Sequence, residues 1–242
     1  MPTGLGGEVM WLCPSLDDSP NDLSGNGNNG TYVNATATVA DSDPTYGGSR
    51  AYDFDGTDDY ISNSSLDLRN LPALSYSAWI YDTRTTSPIS AMFSFGKPGS
   101  ASYPDDILFF QNTRTHAQVN NGQDGSAYSA SSSKNSWHHF SVVFDGAGSG
   151  NSGRLRLFVD GVQISMTYAY TVPASTSAIN PFETRIGSYT GFPNGNFFQG
   201  KQDDIRVFTR VLTQAEITLL ASTRGFTVGG GTHVNRTLLG VG

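Results

Sequence analysis

The dipeptide Asp160-Gly161 is the sequence feature that most constrains the fold, because it lies between two apolar residues, Val159 and Val162. Asp-Gly in that setting is the strongest short signal for a type I′ turn, in which both central residues have φ > 0. Residues 154–159 before it alternate charged and apolar side chains and then become wholly apolar. The sequence therefore predicts a β-hairpin that ends near Ile164.

Another strand is predicted just upstream, over residues 137–144. Its side chains fall on two faces, one with Trp137, His139, Ser141 and Val143 and the other with His138, Phe140, Val142 and Phe144. This period of two residues is typical of a strand inside a layered sheet. The Gly-, Ser- and Asn-rich segment 145–153 that follows is predicted to be a loop of variable length.

Similar strand patterns recur along the chain, separated by turn residues rather than by helical segments. Residues 51–56 and 59–61, for example, are interpreted as a second hairpin. The chain has 28 glycines, and its 242 residues suit one large β domain. Evenly spaced strands without helices between them predict an all-β fold, a two-sheet antiparallel jelly-roll sandwich.

One short C-terminal helix is expected after the last strand. Thr213 and Glu216 have the spacing of a capping box, and Leu212 and Ile217 have that of a hydrophobic staple. The helix is expected to lie against the sandwich and to serve packing.

Charge and targeting signals exclude several classes of function. The net charge of −7 argues against nucleic-acid binding, which needs a basic face. Cys13 is the single cysteine, so no intrachain disulfide forms, and it is expected to be a buried apolar residue. The N-terminus lacks the basic and apolar regions of a signal peptide, and no run is long enough for membrane insertion. These observations predict synthesis in a cytoplasm.

The segment 17–30 is a loop in which Asp and Asn outnumber apolar residues. Its oxygen ligands suit a hard cation such as Ca²⁺, which takes six to eight oxygens. Asp and Asn are also ordinary turn residues, so composition alone leaves metal binding and simple turn formation both open. The loop is not an EF-hand, because no closing Glu and no flanking helices accompany it.

Six segments, in this order, resemble motifs of the laminin-G-like, concanavalin-A-like jelly-roll family. They are residues 22–30, 52–61, 77–80, 137–140, 158–162 and 200–217. Each motif is short, but their order along residues 8–224 makes the resemblance specific. The resemblance implies the same jelly-roll fold as the strand pattern does.

The resemblance also implies a structural Ca²⁺ between the opening loop and the closing strand. The implied ligands are four side chains with oxygen atoms: Asp22, Asn26, Asn28 and Asp203. Three further acidic residues are expected nearby: Asp17, Asp18 and Asp204. No imidazole or thiolate that would select zinc is among them. The chain departs from the family at Lys201-Gln202, which replaces an apolar residue before the Asp pair.

Catalytic signatures of this sandwich are missing from the sequence. Glycosidases with this fold carry a Glu-x-Asp-x-x-Glu run, whereas Glu8, Glu183 and Glu216, the three glutamates present, are far apart. The four histidines are scattered, and no Gly-x-Ser-x-Gly elbow exists. His138 and His139 are expected to anchor a strand, with one ring hydrogen-bonded across the sheet. The chain is therefore predicted not to be an enzyme.

Loop aromatics are the remaining candidates for ligand binding. The segment 189–198 combines rings with amides, which can stack on a sugar and hydrogen-bond to it. Tyr189, Phe192 and Asn194 are the predicted ligand-binding residues. Phe197 and Phe198 are interpreted instead as core residues that open the next strand.

The predicted organisation is a domain over residues 1–224 and a Gly-rich tail over residues 225–242, which is either a frayed terminus or a docking segment.

The predicted function is a non-catalytic, calcium-stabilised recognition module that binds a glycan or a protein surface. The expected setting is a bacteriophage virion, as a head decoration or tail-fibre component, where virion proteins or other copies of the chain would be partners. The alternative is a carbohydrate-binding module of a secreted polysaccharide-degrading enzyme. Both settings place the protein on a virion or an extracellular surface.

Overall fold

Sixteen strands and two helices make up the part of the chain that the computed structural model describes. This part covers residues 4–34, 36–40, 50–84, 90–99, 105–111, 114–119, 127–130, 134–190 and 196–224. The strands are β1 Glu8–Leu12, β2 Thr31–Val33, β3 Ala37–Ala40, β4 Arg50–Asp55, β5 Tyr60–Asn63, β6 Ala73–Asp82, β7 Ser90–Gly96, β8 Asp105–Gln111, β9 Arg114–Val119, β10 Ala127–Ala130, β11 Trp137–Asp145, β12 Leu155–Val159, β13 Val162–Ile164, β14 Thr167–Tyr168, β15 Glu183–Ile186 and β16 Gln199–Phe208. The helices are α1 Gly150–Arg154 and α2 Gln214–Ser222. Neither helix has the length and apolar composition that crossing a membrane requires.

The strands form two antiparallel sheets that pack face to face. The first sheet has the order β13-β12-β11-β6-β16-β4-β3, with β1 added beside β16. The second has the order β14-β10-β9-β8-β7-β15-β5-β2. Aromatic rings fill the space between them, as where Tyr76 of β6 meets Phe93 of β7 at a centroid distance of 4.7 Å. The predicted all-β sandwich is confirmed.

The hairpin predicted around Asp160-Gly161 is confirmed. Both residues have positive φ, 50° and 80°, as a type I′ turn requires. The whole of β12 pairs with residues 140–144 of β11, and Phe140 and Phe144 lie in the core between the sheets. The segment predicted to be a loop between these strands contains the single turn α1.

The prediction of a second hairpin over residues 51–61 is wrong. β4 belongs to the first sheet and β5 to the second, so the turn between them crosses the sandwich. Side chains, rather than a neighbouring strand, accept the hydrogen bonds of backbone N–H groups in this turn. Asp55 Oδ1 accepts from Thr57 N at 2.7 Å, and Asp59 Oδ2 accepts from Asp55 N at 3.2 Å. Phe54 and Ile61, on the two sides of the turn, both lie in the core.

β16 is the central strand of the first sheet. Its first half pairs with β4, its second half with β1, and β6 runs along its other side. The register with β6 shifts between Asp203 and Arg206, and Asp204 has φ of +48° there. This β-bulge lets both Gln202 and Ile205 face the core. Gln202 belongs to the Lys201-Gln202 pair that departs from the family pattern, and its Nε2 donates to Met92 O of the second sheet at 3.1 Å.

α2 covers the outer face of the first sheet. Its predicted capping box is present, because Thr213 Oγ1 accepts from Glu216 N while Glu216 Oε2 accepts from Thr213 N. Leu212, Ile217 and Leu220 pack against Val143, Phe158 and Phe208 of the sheet.

Candidate functional site

The predicted metal ligand Asp22 pins the opening loop to β1. Its Oδ1 accepts from Trp11 N and from Ser24 N, each at 2.9 Å, and its Oδ2 accepts from Asn28 N at 2.9 Å. Three backbone N–H groups therefore surround this carboxylate.

Asn26 and Asn28 complete the same attachment. Asn26 Nδ2 donates to Glu8 O at 2.9 Å, and Asn28 Nδ2 donates to Val9 O at 2.7 Å. Among the described strands β1 pairs with β16 alone, so these amides donate to backbone carbonyls of β1 that no second described strand reaches. The structure thus brings Asp22, Asn26 and Asn28 together at the free edge of β1.

Asp203 lies at the bulge of β16 and is fully buried. Its Oδ2 accepts from Ser15 Oγ at 2.5 Å and from Arg224 Nε at 2.7 Å, while its Oδ1 accepts from Asp204 N at 2.7 Å. Burial raises the pKa of Asp203, and the charge of Arg224 opposes that rise. The guanidinium of Arg224 also lies 3.7 Å from the ring centroid of Trp137.

A second buried ion pair stands beside the first. Arg206 Nε donates to Asp204 Oδ1 at 2.9 Å, and its Nη1 donates to Glu8 Oε1 at 3.0 Å. Trp11 donates from Nε1 to Asp204 Oδ1 at 2.6 Å, and its ring lies 4.1 Å from the Arg206 guanidinium carbon. Each member of the Asp203-Asp204 pair therefore has its own arginine.

These contacts do not fit a Ca²⁺ ion held jointly by the four predicted ligands. Arg224 already supplies the positive charge at Asp203, and a divalent cation beside it would meet a like charge. The oxygens of Asp22 are occupied by backbone N–H donors. Calcium at these residues stays a prediction, which their hydrogen bonds do not favour.

A different group of carboxylates has the closeness that a cation would need. Among the described residues, the one set of three acidic or other metal-ligating side chains with oxygens within 4.8 Å of one another is Asp55, Asp58 and Asp59. They lie in the turn between β4 and β5. Sequence analysis did not assign them to a metal.

Tyr189 lies on the outer face of the second sheet. Gly187 has φ of +87°, and a Cβ there would lie 2.5 Å from the ring of Phe54, so glycine fits this turn. After it the chain crosses the face, where Ser94 Oγ donates to Ser188 O at 2.8 Å and Gly99 N donates to Thr190 O at 3.1 Å. The Tyr189 ring packs against Ala91. Phe192 and Asn194 lie outside the described residues.

Four side chains form a polar and aromatic group beside this crossing, which we call the Arg185 cluster: Tyr60, Glu183, Arg185 and Phe197. Arg185 and Glu183 face outward because Thr184 and Ile186, which alternate with them on β15, are buried. The two charged groups approach at 2.8 Å between Arg185 Nη2 and Glu183 Oε2.

One aromatic ring lies over the arginine, and a second ring lies next to the first. Its guanidinium carbon lies 4.5 Å from the centroid of Tyr60, and the rings of Tyr60 and Phe197 are 6.3 Å apart. Arg185 Nη1 also donates to Tyr189 O at 3.2 Å, which ties the crossing segment to the cluster. Phe198 is in the core as predicted, but Phe197 is half-buried in this cluster, so that part of the prediction is wrong.

Sequence reasoning missed Tyr60, Glu183 and Arg185. The available signal was the alternation of charged and uncharged residues in Glu183-Thr184-Arg185-Ile186, which places both charges on one face of a strand. Tyr60 belongs to a strand distant in sequence, and its position beside Arg185 depends on the pairing of β15 with β5.

The Arg185 cluster offers two kinds of contact to a ligand. Its rings provide flat apolar surface, and its ion pair provides fixed hydrogen-bond donors and acceptors. A small number of placed polar groups next to apolar surface is the usual composition of a ligand site.

Comparison with known families and structures agrees with this fold. The family model of the concanavalin A-like lectin/glucanases superfamily matches residues 55–218. No curated protein resembles the chain closely enough in sequence to count as a match.

Several solved structures share the fold at low sequence identity. Domain 4 of AbnA, a GH43 extracellular arabinanase from Geobacillus stearothermophilus in complex with arabinotriose, is 16% identical with a TM-score of 0.62, over 88% of this chain and 98% of that one. A botulinum neurotoxin type C structure, described by the dependence of cell entry on two ganglioside molecules, is 12% identical with a TM-score of 0.63, over 89% of this chain and 51% of that one. The heptameric SAP-like pentraxin of Limulus polyphemus is 14% identical with a TM-score of 0.51, over 70% and 80%. The chain thus spans about half of the toxin structure but nearly all of the arabinanase domain.

Proposed function

Because the chain belongs to the concanavalin A-like lectin/glucanases superfamily, we propose that it is a non-catalytic module that binds a glycan at the Arg185 cluster. One observation carries the proposal: an ion pair and two aromatic rings share the outer face of the second sheet, opposite the face that α2 covers. A sugar ring has apolar C–H faces and a polar hydroxyl rim, so it matches rings set beside fixed polar groups.

The positions of the glutamates support a binding role rather than hydrolysis. Each of the three glutamates contacts an arginine: Glu8 contacts Arg206 at 3.0 Å, Glu183 contacts Arg185 at 2.8 Å, and Glu216 contacts Arg210 at 2.8 Å. Glycoside hydrolysis needs two carboxyl groups on opposite sides of the scissile bond, one of them protonated. The hydrogen bond from Arg210 lowers the pKa of Glu216, which disfavours the role of acid for that residue.

The match to the arabinanase domain favours one of the two predicted settings. That domain is a module of a larger extracellular enzyme and is matched along 98% of its length. A carbohydrate-binding module of a polysaccharide-degrading enzyme is therefore the setting we propose for the chain. The virion setting stays a prediction, and so does attachment through residues 225–242, which lie outside the described residues.

Binding measurements on a panel of immobilised oligosaccharides test the proposal. We expect the protein to bind at least one member, and Arg185→Met and Tyr60→Ala each to weaken that binding by about tenfold or more, because each removes one kind of contact. Thermal unfolding of the variants would establish that they are folded.

Matched controls are available elsewhere on the surface. Arg69 has an acidic partner two residues before it, Asp67, and lies 4.5 Å from the ring of Phe182, so Arg69→Met removes a similar arginine outside the cluster. Tyr170 is 50% exposed and follows β14, which four strands separate from β15 in the second sheet, so Tyr170→Ala removes a ring outside the cluster. Binding that the controls weaken as much as the cluster variants do would contradict the assignment of the site.

A further inference from the structure

The charges of the Arg185 cluster cancel within the cluster itself. Arg185 contacts Glu183 through Nε at 3.0 Å and through Nη2 at 2.8 Å, and both contacts go to Glu183 Oε2. The two side chains are similarly accessible, at 16% and 17% exposure. A ligand therefore meets a neutral pair and not an isolated positive charge.

Both members of the pair retain hydrogen-bonding capacity. An arginine side chain has five N–H groups. Its hydrogen bonds from Nε to Glu183 Oε2 and from Nη1 to Tyr189 O use two of these groups and leave N–H groups on both terminal nitrogens. Glu183 Oε1 accepts no hydrogen bond from any described residue, since both contacts of Arg185 go to Oε2. Donors and an acceptor thus stand side by side.

The surroundings of the cluster are acidic. Asp55, Asp58 and Asp59 lie in the turn that leads directly into Tyr60, and Asp55 and Asp58 are exposed. The whole chain carries a net charge of −7. Nearby exposed charges act over about 8 to 10 Å at physiological salt, so an anionic ligand at Tyr60 would be repelled.

We infer that the Arg185 cluster selects neutral sugars that carry neighbouring hydroxyl groups and rejects sugars that carry a carboxylate. One sugar hydroxyl accepts a hydrogen bond from Arg185 while the neighbouring hydroxyl donates one to Glu183 Oε1. A donor and an acceptor side by side can therefore bind both hydroxyl groups at once. A carboxylate on the remaining N–H groups of Arg185 would lie beside the Glu183 carboxylate, and two like charges in one site repel each other. The inference rests on the proposed function and adds the chemical class of the ligand.

Galacto-oligosaccharides and oligogalacturonates provide the test, since they differ in whether C6 carries a hydroxyl or a carboxylate. Calorimetric titration of the wild-type protein should show neutral binding at least about tenfold tighter than acidic binding. In Glu183→Gln the arginine loses its anionic partner, so the preference for the neutral over the acidic oligosaccharide should shrink. The acidic ligand should bind more tightly, the neutral ligand more weakly, or both. Thermal unfolding would confirm that this near-isosteric variant is folded.

The outcomes separate this inference from the proposed function. Wild-type protein that binds the acidic series as tightly as the neutral one, or more tightly, overturns the inference and leaves glycan binding intact. The same holds if Glu183→Gln keeps the full preference. Protein that binds neither series nor any other neutral oligosaccharide of the panel overturns the proposed function itself.

Discussion

His139 shows how one buried side chain couples stability to pH. It lies on the face of β11 that α2 covers, its Nε2 is 2.8 Å from Ser77 Oγ, and its ring meets Trp79 edge-on at 5.6 Å. The predicted hydrogen bond of a histidine across the sheet is thus present. Burial lowers its pKa from 6.5 to about 4, so the ring is neutral in the folded protein near pH 5.

Stability should therefore fall as the pH is lowered from about 6.5 to 4. In this range the unfolded chain binds a proton at His139 that the folded chain does not, which favours unfolding. The full effect of one such group is about 3 kcal/mol. His116, whose pKa burial also lowers to about 4, acts in the same direction, but it is partly exposed and contributes less.

Urea unfolding at several pH values between 7.5 and 4.5 would measure this dependence. His139→Gln should show a shallower loss of stability on acidification than the wild type, since glutamine can hydrogen-bond to Ser77 without titrating. Val143→Ala, on the same face of β11, should be less stable at every pH and keep the wild-type slope. An unchanged slope in His139→Gln would contradict the assignment.

At the residue scale, the sequence predicted which residues of one loop come together better than it predicted contacts between residues distant in the chain. Asp22, Asn26 and Asn28 do come together, because they share one loop. The pairing of Asp203 with Arg224 depends on the return of the chain after α2, and no local pattern encodes that return. The position of Tyr60 beside Arg185 likewise depends on which strands become neighbours.

At the scale of elements, local signals were sufficient wherever one turn or cap defines the structure. The Asp160-Gly161 turn and the Thr213 capping box are of this kind. The turn between β4 and β5 is not defined by a local signal. Apolar and polar residues alternate in both strands, and this pattern is the same whether the strands pair in one sheet or face each other across a core. Phe54 and Ile61 satisfy the second arrangement.

Removing the cap of α2 should lower stability without changing the fold. Thr213→Ala deletes the hydroxyl that accepts from Glu216 N, and such a loss costs about 1 kcal/mol. Thr213→Ser keeps the hydroxyl and should be close to wild type. Chemical denaturation would compare the three proteins, and equal stability of the alanine and serine variants would show that the cap contributes nothing.

At the scale of the whole molecule, the arginine partners of Asp203 and Asp204 lead to an expectation about calcium. A ligand at one hundred times its dissociation constant adds about 2.7 kcal/mol, which raises an unfolding midpoint by several degrees. Since Arg224 already compensates Asp203, we expect equal midpoints in Ca²⁺ and in a chelator. A drop on chelation that is lost in Asp22→Ala but kept in Asp55→Ala would instead support the cation predicted from sequence.

The position of β16 has a consequence for the order in which the chain can fold. β16 is followed only by α2 among the described elements, yet it lies between β6 on one side and β4 and β1 on the other. Before it is inserted, the first sheet consists of β13-β12-β11-β6 and the separate pieces β4-β3 and β1. Contacts between such distant segments make folding slow and leave strand edges unpaired until late. Folding of this sandwich is thus expected to finish only when β16 is inserted.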